Sequence, residues 1–131
     1  MAITVDTSAI MAVVLNERSK SAVLEHTQEQ DLIAPASIKW EVGNALSALV
    51  KRKVISDSHA IAASDLFGKM TIRQLEINLP EAVNLAVQHK IYAYDAYILY
   101  CALHYRTSVL SLDKALCKIA TDLRIKVLEI K

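Results

Sequence analysis

Ala2-Ile3-Thr4-Val5-Asp6-Thr7-Ser8-Ala9 sets a β-branched apolar stretch against an acid and then a helix start. The first four residues predict a short buried strand ending at Asp6. A hydroxyl of Thr7 or Ser8 is expected to cap a helix over Ala9 to Leu15 by accepting a free backbone N–H. An acid at such a joint occupies the carboxyl edge of a parallel sheet, where ligands bind. A cap is the plainer role for the same carboxylate.

The pattern recurs downstream. Val109-Leu110 predicts a second strand that leads through Ser111 and Leu112 to Asp113, with a helix over Lys114 to Asp122. If the two strands are parallel neighbours, Asp6 and Asp113 share one edge. Asp113 is also suited to capping its own helix. Between these units the periodicity predicts helices over Ser19–Gln28, Ser37–Lys53, Asp57–Lys69, Pro80–His89 and Ala93–Tyr105. Strands are expected at Leu32 to Ala34 (closed by Pro35), at Ile72 to Ile77 and at Lys126 to Ile130. Strands alternating with helices predict an α/β layered fold on a parallel sheet. A chain of 131 residues with no repeat or linker is read as one domain, 1–131. Only 2 Gly and 2 Pro leave little material for long loops, which favours a helix-rich fold.

Asp95 is the acid that physical argument singles out. At helical spacing it lies above Ile98, Leu99 and Ala102, on the apolar face of its helix. A carboxylate there needs a cation, strong donors or a proton. Free N–H groups at the helix start are the alternative partner. Glu41 lies in the first turn of its helix, where a lone acid is ordinarily a dipole partner. Asn44, one turn on, is a candidate donor to it or a border residue of the apolar stripe.

Four oxygen ligands from separate segments suit a hard cation, Mg²⁺ or Mn²⁺. Zinc is disfavoured, since His26, His59, His89 and His104 are scattered. Two glycines cannot build a phosphate loop. Cys101 and Cys117 sit in apolar helical patterns and read as buried thiols in a reducing compartment. The longest apolar run, Ala9 to Leu15, is far too short to span a membrane. With no basic n-region at the N-terminus, a cytoplasmic location is expected.

The net charge of +1 does not suggest a nucleic-acid partner. Setting four acids aside as metal ligands leaves 15 basic against 10 acidic residues, or +5. Lys39, Lys51-Arg52-Lys53, Arg73, Arg106 and Lys114 are candidate phosphate contacts, each also suited to a solvated helix face. Lys51-Arg52-Lys53 is expected in the last turn of its helix. Trp40 and the tyrosines are candidates for stacking bases, but at helical spacing Trp40 is expected rather in the core or a dimer interface.

Four short motifs stand in order along nearly the whole chain: Ile3-Thr4-Val5-Asp6-Thr7-Ser8-Ala9, Glu41-Val42-Gly43-Asn44-Ala45-Leu46, Tyr94-Asp95-Ala96-Tyr97, and Leu110-Ser111-Leu112-Asp113-Lys114-Ala115-Leu116. Together they resemble the PIN domain, and within it the VapC toxins of bacterial toxin–antitoxin pairs. The resemblance implies a three-layer sandwich with a central parallel sheet flanked by helices. It implies a metal-dependent endoribonuclease leaving 5′-phosphate and 3′-hydroxyl ends, a VapB-type antitoxin, a homodimer built through helices of the N-terminal half, and contact with DNA only through the antitoxin. On this model Asp6, Glu41, Asp95 and Asp113 hold the metal, with Ser8 and Ser111 in support. Ser111 replaces the more usual Thr. No further acid stands close to Asp113, so one or two ions remain open. An RNA-processing nuclease without an antitoxin and a non-cutting binding module are the alternative functions. Transfer RNA, ribosomal RNA and messenger RNA are all open as targets.

Overall fold

The structure is a computed structural model that describes residues 1–130. Five parallel strands form one sheet: β1 (Ala2–Val5), β2 (Asp31–Pro35), β3 (Ile72–Leu75), β4 (Ser108–Leu110) and β5 (Val127–Leu128), in the order β3-β2-β1-β4-β5. Seven helices connect them: α1 (Thr7–Val14), α2 (Lys20–Thr27), α3 (Ile38–Lys51), α4 (Asp57–Lys69), α5 (Leu79–His89), α6 (Ala93–Tyr105) and α7 (Lys114–Asp122). This is the expected α/β sandwich with helices flanking a parallel sheet.

The strand order reverses at β1. The chain steps outward from β1 to β2 to β3, then returns to place β4 on the other side of β1. Right-handed crossovers therefore put α1 to α4 on one face and α5 to α7 on the other. The reversal opens a crevice at the carboxyl ends of β1 and β4, the usual ligand position in such sheets. Register pairs Val5 with Leu110, and the Asp6 N–H donates to the Leu110 carbonyl at 3.3 Å. The residues just beyond both strands are thereby held side by side.

Ile3, Val5, Ile33, Val109 and Leu110 are buried in the sheet, and Ile98, Leu99 and Ala102 of α6 pack over it. Ile10, Ile38, Val42 and Leu46 fill the opposite layer. Thr4 is a buried polar residue on β1, and its Oγ1 lies 2.6 Å from Thr107 Oγ1 just before β4. That bond satisfies a hydroxyl that would otherwise be costly to bury.

Several boundaries differ from those expected. Asp6, rather than Thr7 or Ser8, is the N-cap of α1: its backbone is extended and its Oδ1 accepts from the Ala9 N–H at 3.0 Å. β3 stops at Leu75, with the Leu75 carbonyl accepting from Ala36 N–H and the Glu76 carbonyl from Tyr105 Oη. At the sheet edge, β5 has only β4 to pair with and shrinks to two residues. α3 ends at Lys51, so Lys51 alone of the basic triplet stays in the last turn, with Arg52 as the C-cap and Lys53 beyond it at φ 60°. Trp40 is 66% exposed, outside the core, with Lys39 Nζ 4.5 Å from its ring centroid. No helix is long and apolar enough to cross a membrane among the described residues.

Candidate active site

All four acids reach the carboxyl edge of the sheet, each for a topological reason. Asp6 follows β1 directly, and Asp113 is the third residue after β4. α3 leaves β2 at this edge, which places Glu41 in its first turn there. α6 runs back toward the start of β4, so its own start, with Asp95 in the first turn, lies at the same edge.

Asp6 is buried and heavily bonded. Oδ1 accepts from Ser8 Oγ at 2.7 Å and from Ala9 N, while Oδ2 accepts from Ser111 Oγ at 2.5 Å. Ser8 Oγ also accepts from Leu112 N–H at 2.8 Å, and Ser111 Oγ from Asp113 N–H at 3.0 Å. The two serines thus tie the end of β1 to the loop after β4. Burial still raises the Asp6 carboxyl above its ordinary range, against the lowering effect of these three donors. Asp113 is exposed and caps α7, its Oδ1 accepting from Ala115 N–H at 2.9 Å and Leu116 N–H at 3.2 Å. For both aspartates the capping role coexists with placement at the site: the cap is what aims the carboxylate.

Asp95 is half-buried at the head of an apolar helix, next to fully buried Ala96 and one turn from Ile98 and Leu99. Its carboxyl is raised, first by burial and then by the charge of Asp113. Glu41 is pushed up from 4.5 to about 7 by burial, with the charges of Asp6 and Asp95 adding to it. Asp6 in turn feels Asp113. Glu41, Asp6, Asp113 and Asp95 therefore form a closed ring of neighbouring carboxylates, in which Glu41 feels Asp6 and Asp95, and Asp6 and Asp95 each feel Asp113.

The hydroxyls of Thr7 and Ser37 lie near enough to Glu41 to favour its charged form. Yet Thr7 Oγ1, Ser37 Oγ and Glu41 Oε2 are buried without a hydrogen bond of ordinary geometry. Neither hydroxyl is suggested by the sequence pattern, although Ser37 stands four residues before Glu41 at the start of the same helix. Asn44 is exposed and its side chain makes no bond to Glu41, while its backbone carbonyl accepts from Ser47 Oγ.

A cluster of hard oxygen donors with a buried, unpartnered carboxylate oxygen fits a divalent cation in kind. As the side chains stand, no three His, Cys, Asp or Glu groups among the described residues converge on a single ion position.

Because folding raises the Glu41 pKa, the native state binds more protons than the unfolded chain between pH 4.5 and about 7. The stabilising contribution of protonated Glu41 is complete below that window and lost as pH rises through it. In metal-free protein, the melting temperature of Glu41→Gln minus that of the wild type should grow by a few degrees across the window. A difference that is flat or shrinks with pH would contradict the burial of this charge.

The basic candidates separate. Lys39, Lys51, Lys53, Arg73 and Arg106 lie exposed on scattered elements, and Arg106 serves as the left-handed C-cap of α6. Arg52 lines a groove of ≈ 550 Å³ with Ser8 and Leu112. Lys114 lines another of ≈ 700 Å³ with Ser111 and Leu112.

A family profile described as PIN domain matches residues 3–122. The chain belongs to the PIN domain family. None of the curated proteins searched matches it. Solved structures show the same fold at low identity. Mycobacterium tuberculosis VapC20, described as a Sarcin-Ricin loop cleaving toxin, superposes with TM-score 0.67 at 16% identity, over 89% of this chain and 94% of its own. VapBC2 from Rickettsia felis, bound to a DNA fragment from its promoter, gives 0.71 at 12% over the whole of both chains. FitAcB from Neisseria gonorrhoeae gives 0.65 at 16%, over 97% and 96%. PIN domains are generally nucleases and generally use divalent metals.

Proposed function

We propose that this PIN domain is an endoribonuclease dependent on Mg²⁺ or Mn²⁺, the toxin of a VapBC-type pair held inactive by a VapB-type antitoxin. The observation that carries the reading is the closed ring of Glu41, Asp6, Asp113 and Asp95 at the strand-order reversal. A structural role alone gives no reason to gather four mutually repelling acids, three of them with raised pKa, at the edge where ligands bind. The likeness to VapC20, VapBC2 and FitAcB supports the toxin role and the antitoxin. The alternative of a PIN nuclease without an antitoxin shares the same chemistry.

In this reading the four acids hold the metal. A bound divalent ion polarises the phosphodiester and lowers the pKa of a water. Ser8, Ser111 and the Ala9 N–H fix the direction of the Asp6 carboxylate, and the capping bonds of α7 fix that of Asp113. Glu41, with its high pKa and unpartnered Oε2, has the most to gain from a cation beside it. Arg52 and Lys114, on grooves either side of Leu112, are the best-placed phosphate contacts of the basic set. The same reading includes a cytoplasmic homodimer that meets DNA only through the antitoxin.

Purified protein should cut RNA with Mg²⁺ or Mn²⁺, stop in EDTA and recover on adding metal back. Its antitoxin, supplied in equimolar amount, should suppress cutting. Cleavage undiminished by EDTA would exclude the metal mechanism, and no cleavage of any RNA class would exclude the nuclease.

A further inference from the structure

The groove between α7 and β5 begins at the acid ring and runs away from it. Ser111 and Leu112 form its upper end, beside the Asp6 carboxylate that Ser111 bonds. From there α7 runs back down the edge of the sheet, because it must return the chain to the start of β5. Lys114, Lys118 and Thr121 follow one another along the groove wall, and Lys126 closes the far end. Lys114 and Lys118 are one helical turn apart, about 6 Å along the axis. Lys114, Lys118, Thr121 and Lys126 are all exposed. Glu129 is the single acid among the lining residues, against three lysines. The floor is apolar, with Leu112, Val127 and Leu128 half-buried along it.

On the other side of Leu112 the second groove carries Arg52, with Glu17 as its one acid. The acid ring thus lies where two cation-bearing grooves meet. A polyanion crossing four carboxylates is repelled at the crossing and must be held on both flanks.

We propose that the α7–β5 groove carries the single-stranded RNA flank leaving the cleavage site, with its phosphates on Lys114, Lys118 and Lys126. This rests on the nuclease reading above and adds a substrate path to it. No aromatic side chain lines the groove, so it supplies no base-stacking platform. It holds the backbone and tolerates any sequence. The apolar floor accepts sugar and base faces, and no base-edge readout is built into it.

The test is the salt dependence of binding to a short fluorescent single-stranded RNA, measured by anisotropy in EDTA, with the strand checked for integrity on a gel. Lys118→Gln with Lys126→Gln should flatten the slope of log K against log salt by about 1.4, since each single-strand phosphate contact contributes about 0.7. Affinity near physiological salt should fall about tenfold. The charge-matched control, Lys20→Gln with Lys69→Gln on α2 and α4, should leave the slope unchanged. Equal slopes for the groove variant and the wild type would overturn the groove path while leaving metal-dependent cutting intact. Wild-type protein that neither binds nor cuts RNA would overturn both readings. A groove variant that keeps its RNA slope but loses the antitoxin would assign the groove to a protein partner and overturn the proposal.

Discussion

Asp95→Asn should reduce RNA cleavage at saturating Mg²⁺ by about a hundredfold or more, the scale of losing one charged group from a preorganised site. It should do so without unfolding the protein. The Asp95 carboxylate is disfavoured in the metal-free fold, because burial and the charge of Asp113 both raise its pKa. An isosteric neutral amide relieves that repulsion, so the metal-free melting temperature should hold or rise. The stabilisation gained on adding Mg²⁺ should shrink in the same variant, since the ion loses an anionic donor. Asp6→Asn is the less discriminating change. Asp6 accepts from two serines and caps α1, so an amide there also disturbs the joint between β1 and the loop after β4. Activity loss at Asp6 mixes chemistry with structure; at Asp95 the two separate. Equal cleavage by wild type and Asp95→Asn would remove Asp95 from the reacting site, whatever the fate of the other three.

How far the site was legible depends on how local each signal is. The strand ends at Asp6 and Asp113 are carried by a few adjacent residues, and parallel pairing of β1 with β4 turned two local patterns into one edge. Asp95 was legible for a related reason: helical spacing alone places it over Ile98 and Leu99. At α1 the sequence leaves the cap open between Asp6 and the hydroxyls of Thr7 and Ser8, both of which follow the turn. The cap must come from the residue that is still extended, which is Asp6. Thr7 beside Glu41 was not legible, since it meets Glu41 only once α1 and α3 pack at the same edge, whereas Ser37 stands one turn before Glu41 on α3 and lay within reach of helical spacing. The same limit applies to the lysines. Sequence treats Lys51-Arg52-Lys53 as one cluster, but the end of α3 separates them and only Arg52 joins a groove touching the site. Lys118 and Lys126 are unremarkable in sequence and become neighbours through the return of α7 beside β5.

Leu99→Ala should be among the most damaging single substitutions to stability. Leu99 is 0% exposed, on the face of α6 that packs across β1, β2 and β4. Truncation removes three buried carbons and leaves a cavity between α6 and the sheet, at a cost of about 2–5 kcal/mol. For a chain of this size that lowers the melting temperature by about 10 °C. Val87→Ala, at a position 70% exposed on α5, should shift it by no more than a degree or two. The two outcomes must differ for the packing to be as described. Comparable melting temperatures would show that α6 does not anchor on the sheet through Leu99. The consequence reaches the site as well. Leu99 is one turn from Asp95, while Asp6 and Asp113 are fixed to strand ends. Asp95 is held against these carboxylates by the packing of α6 on the sheet. Leu99→Ala, assayed at a temperature where it is fully folded, should therefore still lose activity and metal-induced stabilisation, because the fourth side of the acid ring is no longer held in place.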